Sequence, residues 1–206
     1  MDKEIRRQII FEAQNRTSLE SEKRFEPDLE EVKSLVDQAR GLGCRVVLTQ
    51  GTFDVVHVGH ARYVREAKKR GDILVVGIDD DEKARGRKGE NRPVIPFEER
   101  REMMAHLRYV DLVTVKRHDY PKWHLIKTLR PDVLIGVEGS YTNDEVERLK
   151  EFCGEVQILP RQAETSTSAK VRKMALGGAE ELTHILVERI PAFVQGAYQE
   201  LREGGK

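Results

Sequence analysis

At 206 residues the chain is longer than the roughly 150 typical of one domain, so one domain with appended elements is expected rather than two full ones. Charged residues reach 35% against a norm of about 25%, while apolar residues at 38% still suffice for a substantial core. Lys plus Arg and Asp plus Glu balance at 36 each, which excludes a nucleic-acid binder built on a basic excess, and no apolar run approaches the length of a membrane span.

The chain opens on helical sequence. Leu29, Val32, Val36 and Ala39 repeat at helical spacing, Asp28 followed by Glu31 reads as a capping box, and Gly41 and Gly43 stop the helix. From Arg45 the pattern alternates. Strands are expected at Arg45 to Gln50, Ile73 to Ile78, Leu112 to Val115, Val133 to Gly136 and Val156 to Leu159. Helices are expected between them at His60 to Arg70, Phe97 to His106, Pro121 to Leu129 and Asn143 to Phe152. Such alternation predicts an α/β, Rossmann-like, doubly wound sheet of five parallel strands. Ligands bind such sheets beyond the carboxyl ends of the strands, where the winding reverses. Beyond Gly177-Gly178 an apolar stripe from Leu182 to Leu201, interrupted at Pro191, reads either as a helix on its own core or as one shared with a second subunit. The start, Met1-Asp2-Lys3-Glu4, has no signal-peptide core, and Cys44 and Cys153 are too far apart for a C-x-x-C. A cytoplasmic protein with reduced cysteines is the expectation.

The first strand runs into Gly51-Thr52-Phe53-Asp54-Val55-Val56-His57-Val58-Gly59-His60, where the next helix begins. Gly51 and Gly59 leave room for backbone amides to approach a ligand, and a helix N-terminus suits phosphate. His57 and His60 can both aim donors at one phosphate. No third ligand of suitable spacing accompanies them, so no metal site is assigned. Further on, Arg85-Gly86-Arg87-Lys88-Gly89 reads as a cationic, glycine-punctuated loop that would bring two anions together. Asp79-Asp80-Asp81 reads as a turn with a helix cap ahead of a reading as Mg²⁺ or ribose ligands.

The G-T-F-D-x-x-H-x-G-H segment after a strand resembles the signature of the cytidylyltransferase-like nucleotidyltransferases. That family includes glycerol-phosphate and ethanolamine-phosphate cytidylyltransferases, heptose-phosphate adenylyltransferases and an archaeal FAD synthase. The resemblance covers about residues 45–176, leaving residues 1–44 and 177–206 as helical extensions. It implies that His57 and His60 steady charge on the α-phosphate, and that Gly51, Thr52, Phe53, Asp54 and Gly59 belong to the nucleotide site. Lys88-Gly89 through Arg92-Pro93-Val94-Ile95-Pro96 resembles the heptose-phosphate adenylyltransferases, implying Lys88 as a phosphate clamp and Arg92 as a substrate contact. Leu107 to Asp111, with Arg108 and Asp111, matches an R-Y-V-D segment of the glycerol-phosphate branch, which implies a structural and subunit-contact role.

After the last strand, Arg161, Ser166, Thr167 and Ser168 keep the family's R-T-E-G-I-S-T-T pattern, while residues 162–165 depart from it. Arg161 is thereby a catalytic candidate, and Ser166, Thr167 and Ser168 are nucleotide contacts. Gly136 to Tyr141 replaces the family's G-D-Y element; Glu138 is the nearest acidic substitute for its aspartate, and Glu138 and Tyr141 are substrate-binding candidates. The implied reaction moves a nucleoside monophosphate from an NTP, ATP favoured, to a small phosphorylated acceptor such as a sugar phosphate. Mg²⁺ would be held mainly by the NTP phosphates, and a homodimer is expected. Cytidylyl transfer to glycerol phosphate or a phospho-alcohol, FMN adenylylation and a non-catalytic nucleotide-binding protein are the alternatives.

Overall fold

The computed structural model describes residues 24–163. Five strands, β1 (Val46–Gly51), β2 (Ile73–Asp79), β3 (Leu112–Lys116), β4 (Val133–Val137) and β5 (Glu155–Leu159), form one sheet in the order β3-β2-β1-β4-β5. Every pairing is parallel. Six helices lie among them: α1 (Leu29–Gly41), α2 (Val58–Lys68), α3 (Asp81–Lys88), α4 (Phe97–His106), α5 (His124–Leu129) and α6 (Asn143–Leu149). The winding reverses at β1, whose two neighbours are β2 and β4, so the loop after β1 sits at the switch point of the fold.

The strands read as unbroken apolar runs because both faces are covered. Alternate residues of β1 serve opposite sides. Val47 packs with Tyr63, Val64 and Ala67 of α2 and Met104 of α4, while Val46 and Leu48 pack with Leu29, Val32 and Val36 of α1 and Leu125 and Leu129 of α5. Helix α1 is therefore part of the covering of the sheet rather than an appendage to it. Asp28 caps it by accepting from the Glu30 N–H at 2.8 Å, and Gly43 turns the chain out of it at φ +79°.

Several segments differ from their sequence reading, α5 beginning three residues later than expected and α6 ending three residues earlier. The basic segment at Arg85 to Lys88 is helical, not a loop: Asp80 caps α3 through the Lys83 N–H at 2.7 Å, and acidic residues at its start with basic ones at its end suit the helix dipole. Its one buried residue is Ala84, so it lacks the apolar stripe by which a helix is recognised in sequence. Helix α2 begins at Val58, two residues earlier than expected, because His57 serves as its cap. Ser166, Thr167, Ser168, the apolar stripe near the C-terminus and the boundary at residue 176 lie outside the described residues.

Candidate active site

The loop from Thr52 to His57 is folded tightly onto the sheet. Phe53 and Val55 adopt left-handed backbone, φ +51° and +49°, which for non-glycine residues costs on the order of 1–3 kcal/mol each and is held only by surrounding structure. That structure is identifiable. Thr52 is buried and donates its hydroxyl to Asp79 at 2.9 Å, while its carbonyl accepts from Arg100 at 2.6 Å. The buried carboxylate of Asp54 accepts from Arg92 at 2.6 Å and from the N–H groups of Val94 and Ile95 at 3.0 and 3.1 Å. Burial opposes ionisation of Asp54, but these three donors hold its pKa below the ordinary carboxylate value. Asp54 and Arg92 are thus turned toward each other, and they tie the segment before α4 to the loop after β1.

The two histidines come together at the mouth of α2, their ring centroids 4.2 Å apart. Each uses Nδ1 as an acceptor toward the backbone: His57 from the Gly59 N–H at 3.0 Å, His60 from the His57 N–H at 3.3 Å. An accepting Nδ1 carries no proton, so the proton of each ring is on Nε2. The pair stands beside the first turn of a helix, an arrangement suited to an anionic oxygen. The ring of Phe53 meets His60 edge-on, with centroids 5.6 Å apart. Gly59 makes the pairing possible. A Cβ there would stand 2.7 Å from Cε1 of His57 and 2.8 Å from Cβ of Ala163, so its absence seats the imidazole and the segment after β5 together.

A cavity of about 480 Å³ opens at the carboxyl ends of the strands. One side is cationic, with Lys83 and Arg87 from α3, Lys116 from the end of β3 and Lys122; another is aromatic, with Tyr120, Trp123 and Tyr141. Tyr141 lies on Gly136, where a Cβ would be 3.0 Å from its ring, and its hydroxyl accepts from Gln50 at 2.8 Å. Burial raises the Tyr141 pKa, which keeps that hydroxyl protonated. Burial lowers the Lys116 ammonium below the ordinary lysine value, against the attraction of Asp79.

Of the other candidates, Lys88 is the last residue of α3 and exposed, Glu138 is exposed just past β4, and Arg161 is exposed past β5. Asp80 is a cap, as its sequence suggested, and Asp79 is a buried ion-pair centre. Asp111 accepts from the Leu74 N–H at 2.6 Å and from Lys68 at 2.5 Å, which fits the structural role expected of it. Sequence reasoning missed Lys83, Lys116, Lys122, Tyr120 and Trp123 as cavity residues. The available signal was position, since the run Lys116-Arg117-His118 follows directly on a strand. It also missed Arg100, whose fully buried guanidinium donates to Ile95 O, Thr52 O, Asp79 O and the Asp81 carboxylate at 2.6–2.9 Å.

Relatives carry the comparison further. The Bifunctional protein HldE of Hahella chejuensis is 38% identical over 149 residues, covering 71% of this chain and 31% of that protein. The protein of the same name from Campylobacter fetus is 41% identical over 133 residues, 64% of this chain and 28% of the other. The chain thus spans less than a third of the length of these relatives. Among solved structures, the lipopolysaccharide core biosynthesis protein from Thermoplasma volcanium aligns with a TM-score of 0.50 at 26% identity, over 60% of this chain and 100% of that one. Pantoate-beta-alanine ligase from Francisella tularensis shares the fold, with a TM-score of 0.53 at 13% identity over 70% of this chain and 68% of the other. The sequence model described as cytidylyltransferase-like matches residues 48–191, well over half of the length, and this chain belongs to that family.

Proposed function

We propose that the chain is a nucleotidyltransferase that moves a nucleoside monophosphate from an NTP, ATP favoured, to a small phosphorylated acceptor such as a sugar phosphate, releasing pyrophosphate. One observation carries the proposal: two imidazoles, each accepting a backbone N–H at Nδ1, stand together at a helix mouth, at the switch point of a parallel sheet. The preference for ATP and a sugar phosphate is supported by the Lys88 to Pro96 resemblance to heptose-phosphate adenylyltransferases.

In this reaction a phosphate oxygen of the acceptor attacks the α-phosphorus in line. The new Pα–O bond forms as the bond to the β-phosphate oxygen breaks, and the electron pair leaves with pyrophosphate. A phosphate monoester has its second pKa near 6, so the nucleophile is already ionised at neutral pH and no general base is required. The chain's part is positioning and electrostatics. His57 and His60 donate to oxygens of the α-phosphate as charge builds there, the backbone of Thr52 and Phe53 supports the polyphosphate, and Lys88 and Arg161 supply cations at the edge. Mg²⁺ would be held mainly by the NTP phosphates, where it would add positive charge. Among the described residues no group of three or more His, Cys, Asp or Glu could hold a metal ion, and Asp54 and Asp79 already face arginines.

Pyrophosphate release with each of the four NTPs, across a panel of sugar phosphates, glycerol phosphate, phospho-alcohols and FMN, tests the proposal. Release that requires both a nucleotide and a phosphorylated acceptor supports it; absence of release and of nucleotide binding refutes it. The apolar stripe near the C-terminus and the family resemblance support a homodimer, which light scattering would read. Cys44 and Cys153, far apart in the sequence and in no C-x-x-C, support a reducing, cytoplasmic setting.

A further inference from the structure

We propose that the cavity at the carboxyl ends of the strands seats the phosphate group of the acceptor between Arg87 and Lys116. This rests on the nucleotidyl-transfer reading above and adds the residues that select the second substrate.

Asp79 is fully buried at the carboxyl end of β2. Its Oδ2 accepts from Arg87 at 2.8 Å and from the Thr52 hydroxyl at 2.9 Å, and Lys116 Nζ stands 3.3 Å from its Oδ1. Two cations from separate elements, α3 and β3, thus converge on one carboxylate, and both line the cavity. The Lys116 side chain is only 17% exposed. One carboxylate offsets one of the two charges, and the positive charge left over, shared between a largely desolvated Lys116 and a half-exposed Arg87, favours an anion that completes the group. That anion must arrive from the cavity, the open side of the triad.

The wider charge count agrees. The cavity wall carries four cations, Lys83, Arg87, Lys116 and Lys122, and one carboxylate, Glu145; Asp79 behind them makes two. Glu145 offsets Lys122 at 2.7 Å, and Lys83 donates to a carbonyl, Arg117 O, at 2.8 Å. Four against two leaves two positive charges, which matches a phosphate monoester above its second pKa near 6. The seat is also anchored to the nucleotide loop. The oxygen that draws in Arg87 accepts the Thr52 hydroxyl, three residues before the Val55 turn that leads to His57. Acceptor phosphate and nucleotide would therefore share one rigid anchor, as an in-line displacement requires.

The test is a phosphorus NMR titration of inorganic phosphate into the full chain saturated with the Mg²⁺ complex of α,β-methylene ATP. The analogue should bind wild type, Lys116→Met and Arg87→Met alike. Phosphate should bind the loaded wild type and bind each variant at least tenfold more weakly. Binding of the analogue with no phosphate uptake in wild type, or with uptake unaffected by both substitutions, overturns the seat and leaves the nucleotidyl-transfer reading standing. Failure of the analogue to bind wild type overturns that reading instead. If Lys116→Met does not fold, Arg87→Met decides, because that side chain is half exposed.

Discussion

Nδ1 of His57 accepts the Gly59 N–H at 3.0 Å, so this imidazole caps α2 through one nitrogen, and in the proposed reaction its other nitrogen is the donor to phosphate. The two roles separate by substitution. His57→Ala should lose about 1 kcal/mol of stability with the cap, and on the order of 10²–10³ in turnover with the Nε2–H donor. His57→Asn supplies a capping oxygen but no donor at the Nε2 position. It should regain most of the stability and none of the turnover. Urea unfolding beside a pyrophosphate-release assay checks both, and near-normal turnover in His57→Asn would remove the histidine from the mechanism.

Gly59→Ala should behave against helix propensity. An alanine within a helix is ordinarily about 1 kcal/mol better than glycine. Here the added Cβ would stand 2.7 Å from the His57 ring and 2.8 Å from Ala163, so the ring must move. A displacement near 1 Å at a reacting centre costs about 10²-fold in rate. Turnover should fall by that order while the helical circular dichroism is unchanged; a fully active variant would show that ring placement is not critical.

Arg100 organises the site from beneath. It is fully buried and satisfies the carbonyls of Thr52, Asp79 and Ile95 together with the Asp81 carboxylate. Arg100→Met leaves those acceptors unpaired and should destabilise the chain by about 3–5 kcal/mol. Arg100→Lys should rescue only part of this, since an ammonium cannot reach several oxygens in the planar arrangement a guanidinium spans. The midpoint of urea unfolding for the two variants is the measurement.

His118 should make stability depend on pH. Its Nδ1 lies 2.9 Å from Asp80 and its Nε2 2.9 Å from Glu82. The hydrogen bond to Asp80, with the charges of Glu82 and Asp119 behind it, holds its pKa above the ordinary histidine value. A raised folded pKa means the added stability is complete below the unfolded value of about 6.5 and is lost as pH rises through the folded one. Unfolding free energy should therefore decline more between about pH 6 and pH 9 in wild type than in His118→Gln. Ring proton shifts should place the His118 midpoint above 6.5; equal slopes in the two proteins would refute the coupling.

The sequence by itself determined the sheet, the helices with apolar stripes and the loop after β1. Strands buried on both faces, such as Ile73 to Ile78, must be apolar throughout, and a loop that brings two imidazoles to a helix mouth needs Gly59 and the pair His57 and His60 close together in the chain. Local order sufficed for these because the residues involved are neighbours along the backbone. Only the tertiary structure decided which charges face one another. Arg87, Lys116 and Asp79 are from three elements, and each alone looks like a surface or turn residue. Asp54 is placed in the nucleotide site by resemblance alone, and only the fold shows that its carboxylate accepts from Arg92, Val94 and Ile95. Pairings between residues far apart in sequence depend on strand order and crossover geometry, and no local spacing encodes them.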